Sequence, residues 1–162
     1  MTLYDSIVEK ISKGEKLREA TSEVLETYYN EGGRYVPGFG HRFHPVDPRA
    51  PRLMELTKAA ADAGTIPGNH LSVALELERQ IASSKGRSIP MNIDGASAVI
   101  YGELGFPPPL ARGLFCLSRS VGILAHAWEQ TEQGGRNKGP IPRDTIWSYA
   151  GHPPRPMPTK KP

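Results

Sequence analysis

The stretch LARGLFCLSRSVGILAHAWEQ, residues 110–130, decides the fold. It contains no proline, it is apolar nearly all round, and Gly134-Gly135 lies just beyond it. A run of that length and pattern reads as a helix buried on most of its faces. It is therefore predicted to be the central helix of an all-α protein. Cys116, within it, reads as a buried and inert thiol. Arg119 sits in the middle of the same apolar run. A buried guanidinium is costly without a counter-charge, so Arg119 calls for an anion: a ligand, or an internal partner such as Glu103 or Glu129. His126, seven residues later, reads as a core histidine.

Working outward, Phe106-Pro107-Pro108-Pro109 reads as a rigid link. Before it, residues 93–104 form a helix rich in small residues. Residues 87–92, RSIPMN, read as extended because Pro90 disfavours helix in the residue before it. Residues 69–84 carry an apolar stripe of Ala74, Leu77 and Ile81, with Leu71, Leu75 and Glu78 on another side and Gly86 as the stop. Asp47 reads as an N-cap with Pro48 in the first helical position, opening a helix with Leu53, Leu56 and Ala60 that ends at Gly64. Residues 15–30 repeat Leu17, Ala20, Val24 and Tyr28 at helical spacing before Gly32-Gly33, and residues 3–12 form a shorter helix. No convincing alternating strand appears. At the other end, Trp147 and Tyr149 are expected to dock an irregular segment onto the body.

Composition narrows the function classes. The chain has 162 residues, 38% apolar and 23% charged, which fits one domain and excludes compositional disorder. No apolar run suffices for a membrane span, and the charged N-terminal region has no signal-like apolar core. The single cysteine excludes an internal disulfide and a multi-cysteine zinc site. A reduced, cytoplasmic setting is expected. Net charge is +3 with no basic stripe, so nucleic acid is not an expected partner. Of 16 prolines, seven fall in the last 23 residues, which predicts a poorly ordered tail over residues 152–162.

Two places could carry chemistry. The loop GFGHRFHPVDPR, residues 38–49, packs two glycines, two histidines and several charges into a short span. Such glycines let backbone approach a ligand. A loop histidine can exchange protons near neutral pH, and Arg49 can grip a carboxylate with two parallel bonds. A surface turn ending in a helix cap explains the same residues. Asp94, in MNIDGAS, opens a helix of small apolar residues. A carboxylate buried there would act as a base on carbon, and a simple N-cap is the competing reading. His41 and His44 have HxxH spacing but no third ligand, so no metal is expected.

Taken in order, PGFGH, DPR, MNIDGA and LSRSVGILAH resemble the C-terminal half of the citrate synthase superfamily, in the style of its short citryl-CoA lyase-like branch. The likeness runs from about Tyr35 to Gly151. It implies an all-α fold made of a small domain plus C-terminal large-domain helices. On this view residues 1–34 are N-terminal helices left from a partial large domain, residues 35–106 the small-domain-like region, and residues 107–151 the C-terminal helices. The resemblance implies an enzyme that makes or breaks the carbon–carbon bond between acetyl-CoA and oxaloacetate, citryl-CoA or citrate being the joined form. It implies no permanently bound cofactor beyond the coenzyme A thioester used as substrate, and a dimer or a hetero-complex with a large-domain chain.

Matched by motif, His41 corresponds to the histidine at the carbonyl or carbinol oxygen, which would accept the carbinol proton in cleavage. Asp94 corresponds to the base that takes a proton from the acetyl-CoA methyl group. Arg49 and Arg119 correspond to carboxylate-binding arginines. The CoA-recognising loop falls on Val36, Pro37, Gly38, Phe39 and Gly40, with Arg42 as the phosphate candidate. Three departures stand out. The family's other catalytic histidine has no counterpart, since residues 1–34 contain no histidine. The family's C-terminal arginine, reaching the partner subunit, is replaced by Lys138 next to Gly139-Pro140. The family's phosphate-binding arginine after the glycine loop has no clear match, and Arg42 and His44 are the candidates for it. A non-catalytic CoA- and carboxylate-binding module, or a truncated fragment, is the alternative to an enzyme completed by a partner chain.

Overall fold

Six helices follow one another along the chain: α1 (Thr2–Ser12), α2 (Leu17–Asn30), α3 (Ala50–Asp62), α4 (Asn69–Lys85), α5 (Ile93–Glu103) and α6 (Pro108–Glu132). The computed structural model describes residues 1–134 together with Pro142 and Pro153. The expected docking of Trp147 and Tyr149, the partner-reaching Lys138 and the tail over residues 152–162 lie outside these. The only extended pairing among the described residues is an isolated antiparallel bridge between Phe39 and Met91. The all-α reading therefore stands. The chain divides into two compact units, residues 1–121 and 122–162.

The central helix of the first unit is α4, not the 110–130 segment. Val73, Ala74 and Leu77 are completely buried, with Leu71 and Ile81 close behind. α1, α2 and α5 pack on α4, bringing Ile7, Ala20, Val24, Ala96 and Val99 into one apolar cluster. This core runs across residue 34 without interruption, so α1 and α2 belong to the same body as the segment that follows them. Each fully buried Leu, Ile or Val there contributes about 1.5–3 kcal/mol of transfer free energy.

α6 corrects the opening expectation. Of its residues only Ala111 is buried. Leu117 is 67% exposed and Val121 73% exposed, and Cys116 and Arg119 are exposed as well. Apolar periodicity reports that a face can be buried, not which surface covers it. α4 is sandwiched by three helices of its own chain; among the described residues α6 is not. The helix also starts inside the expected rigid link, at Pro108. Proline has the φ of a helix and is tolerated in a first turn, where its missing N–H has no partner to lose.

Helix ends show where the polar residues go. Gly68, with φ +81°, is the N-cap of α4. No side chain of its own caps it. The buried Glu103 carboxylate, from the end of α5, accepts from Gly68 N at 2.8 Å and Leu71 N at 2.9 Å. This placement suits a negative charge against a helix N-terminus. It also removes Glu103 as a partner for Arg119. α3 starts later than expected: Arg49 is its N-cap, and Asp47 is drawn elsewhere.

Candidate active site

The first turn of α5 is where the sequence motifs meet. Asn92 is its N-cap, and the Asn92 side chain accepts from Asp94 N and Gly95 N. Asp94 is thus not the cap; it stands in the first turn with an exposed side chain. The expected burial of this carboxylate is not seen.

The glycine loop is sewn onto the same turn. Gly38 O accepts from Asn92 N at 2.9 Å, Gly40 N donates to Pro90 O at 2.7 Å, and Asn92 Nδ2 donates to Gly40 O at 2.7 Å. Gly38 has φ +92°, and a Cβ on it would come within 2.8 Å of the Gly95 Cα. A Cβ on Gly95 would strike the Gly38 carbonyl oxygen. Two glycines are therefore required because two backbones cross in contact. The extended segment from Ser88 to Asn92 is steadied by Glu78, whose carboxylate accepts from Met91 N at 2.9 Å.

Beyond the glycines, the loop brings His41 and Arg49 to a shared carboxylate that the sequence had marked only as a cap. Asp47 is 1% exposed. Its Oδ1 accepts from Arg49 N and from Arg49 Nε, and its Oδ2 accepts from Arg49 Nη2 and from Ile93 N, the last three at 2.9 Å. His41 Nε2 lies 3.9 Å from Asp47 Oδ2. The Arg49 side-chain bonds, joined by the backbone donors of Ile93 and Arg49, hold the Asp47 carboxyl well below the usual carboxylate range despite its burial. Asp47 in turn, with a smaller contribution from Asp94, pushes the Arg49 guanidinium up. Arg49 itself is half exposed.

His41 is oriented by its own loop. Its Nδ1 faces Phe43 N and His44 N, each at 3.1 Å. Two backbone donors at Nδ1 require an unprotonated acceptor there, so the neutral ring carries its proton on Nε2. Nε2–H is then a hydrogen-bond donor, suited to an oxygen that gains negative charge. This geometry opposes the expectation that His41 accepts the carbinol proton. His44 supplies that backbone donor and packs its ring 4.9 Å from His41, while the Arg42 guanidinium sits over the Phe43 ring. No group of three metal-binding side chains exists among the described residues.

Asp94 and Arg119 share a cavity of about 570 Å³, whose wall includes Ser97, Tyr101, Phe115 and Cys116. Arg119 is not paired through either acid suggested by the sequence. Glu103 caps α4, and Glu129 pairs with His126 at 3.3 Å. Arg119 instead lies over the Phe115 ring at 4.4 Å, a cation–π contact on an exposed face. His126 is likewise exposed rather than a core residue, and Cys116 opens onto the cavity. The described structure therefore gathers His41, Arg49 and Asp94 around one helix terminus and puts Arg119 in the wall of the same cavity as Asp94. Asp47 and Asn92 were missed as site residues. Asn directly before a helix was a readable cap signal; the burial of Asp47 depends on contacts 46 residues apart and had none.

A family model described as the C-terminal domain of citrate synthase matches residues 5–143. The match includes α1 and α2, which carry none of the recognised motifs. A citrate synthase of Haloferax volcanii is 39% identical over 102 residues, 62% of this chain and 26% of that protein. One of Acidithiobacillus ferridurans is 38% identical over 96 residues, 57% of this chain and 25% of that protein. Among solved structures, citryl-CoA lyase from Hydrogenobacter thermophilus superimposes with a TM-score of 0.63 at 30% identity, covering 96% of this chain and 58% of that one. Citrate synthase of the archaeon Thermoplasma acidophilum, in a ternary complex with carboxymethyl coenzyme A and oxaloacetate, gives 0.60 at 25% identity, covering 96% and 41%. The chain thus spans about a quarter of the curated relatives it matches.

Proposed function

The chain belongs to the citrate synthase family, and from that premise we propose that it carries part of an active site that joins acetyl-CoA to oxaloacetate or cleaves citryl-CoA. The remainder of the site is proposed to come from a partner chain. The observation that carries this reading is the convergence of His41, Arg49 and Asp94 on the first turn of α5.

In the joining direction, the exposed Asp94 carboxylate takes a proton from the methyl carbon of the thioester. His41 Nε2–H donates to the carbonyl oxygen of the four-carbon acid as negative charge grows on it. Arg49 and Arg119 bind its carboxylates. In cleavage the same carbon–carbon bond breaks, the electron pair returns to the acetyl carbon, and protonated Asp94 delivers its proton there. The carbinol proton leaves to water, which returns it in the joining direction, while His41 Nε2–H stays hydrogen-bonded to the carbinol oxygen. The loop of residues 36–40 offers backbone to CoA, with Arg42 near its phosphates.

The test is to assay citryl-CoA cleavage and the reverse condensation with the purified chain, alone and with a separately encoded large-domain chain. Turnover by the mixture alone is expected. Asp94→Asn is expected to lower kcat by about 10²-fold or more while CoA binding persists; undiminished turnover would remove Asp94 from its role. The alternative reading is a CoA- and carboxylate-binding module. Calorimetric CoA binding without turnover in either preparation supports that one.

A further inference from the structure

Asp47 is the most deeply buried carboxylate among the described residues, and it makes no contact that the proposed chemistry requires. Its bonds have a consequence for Arg49. They occupy Nε and one hydrogen of Nη2, the side edge of the guanidinium. Of the five donors of an arginine, both on Nη1 and one on Nη2 remain. These form the end-on edge, which is itself a two-pronged fork for a carboxylate. Arg49 is half exposed, so this edge stays accessible. The opposite face of the clamp is tied to the helix that carries Asp94, because Asp47 Oδ2 also accepts from Ile93 N at 2.9 Å. His41 Nε2 sits 3.9 Å from the same oxygen.

We propose that Asp47 is a positioning residue: it locks the side edge of Arg49 against the first turn of α5, so that a substrate carboxylate is received only by the end-on edge of the guanidinium. The proposal rests on the functional reading above for the identity of the carboxylate, and on the geometry alone for the clamp. It has a distinctive sign. Asp47 places a negative charge beside an anion site, so its charge alone disfavours a dicarboxylate. If charge were all that mattered, Asp47→Asn would tighten dicarboxylate binding. If positioning dominates, the same substitution weakens it. A merely structural role would weaken CoA and dicarboxylate alike.

The experiment has two parts. In ¹⁵N NMR of the wild-type protein at pH 7, the Arg49 Nε–H is expected to exchange with solvent far more slowly than that of an exposed arginine. Exchange at the exposed rate overturns the clamp, whether or not any variant folds. Oxaloacetate and CoA are then titrated calorimetrically into wild type and Asp47→Asn. A loss of about tenfold or more in oxaloacetate affinity, with CoA affinity unchanged, supports the proposal. Equal or tighter oxaloacetate binding overturns it, as does a parallel loss for both ligands. A protected Arg49 Nε–H in a wild-type protein that binds no oxaloacetate, either alone or with the large-domain chain, supports the clamp and overturns the functional reading instead.

Discussion

At the residue scale, the site depends on side chains that are absent as much as on those present. Gly38 and Gly95 let the loop backbone lie on the helix backbone. Gly95→Ala would drive its methyl group into the Gly38 carbonyl and the Met91 side chain. The expected cost is about 1–3 kcal/mol, the usual penalty for overpacking, read as a lower urea midpoint. Asp47 makes a pH-dependent contribution. Its carboxyl titrates lower in the folded chain than in the unfolded one, where an aspartate has a pKa of about 3.9. The folded state therefore binds fewer protons. The stabilisation is fully present above that unfolded value and fades as pH falls through it towards the folded pKa. Thermal melts of wild type and Asp47→Asn should differ most near neutral pH and converge below about pH 4; parallel curves would refute the linkage. The glycines, His41, Asp94 and both arginines could be found in the sequence because each belongs to a short motif. Asp47 stands in such a motif too, but its role could not be read there, because its burial requires α5 to arrive beside the loop.

At the element scale, the helices obey local chemistry except where packing intervenes. The stops at Gly32, Gly64 and Gly86 all adopt positive φ, as their punctuation of the sequence suggested. The α5 cap is Asn92, and Asn92→Ala is expected to cost about 1 kcal/mol while also freeing Gly40 O from its bond. The lost bond should loosen the glycine loop, seen as faster amide exchange at Gly40. α4 is the element on which the rest depends. Leu77, completely buried between three helices, should cost about 2–5 kcal/mol when cut to alanine, measured by chemical denaturation. Its apolar stripe was legible in the sequence; its central place was not, because α6 offered a longer and more apolar stripe.

At the scale of the whole molecule, α6 separates apolarity from burial. Leu117 and Val121 are 67% and 73% exposed. Leu117→Gln in the isolated chain should therefore change stability by no more than about 0.5 kcal/mol, as at other exposed positions. A melting temperature that falls by many degrees would show that the helix is covered after all. The core, meanwhile, ignores the boundary suggested by the motifs. α1 and α2 hold none of them, yet they pack on α4 and lie within the matched family region.

The sequence by itself determined the helical class, the approximate limits of all six helices, the glycine loop and the family to which the chain belongs. These follow from periodicity, turn chemistry and short motifs, each of which acts over a few residues. Tertiary structure alone decided that α4 is central and α6 is not, that Glu103 caps α4 instead of pairing with Arg119, and that Asp47 binds Arg49 to the helix of Asp94. Those outcomes rest on which surfaces meet, and a carboxylate goes to whichever unsatisfied donors the fold brings within reach.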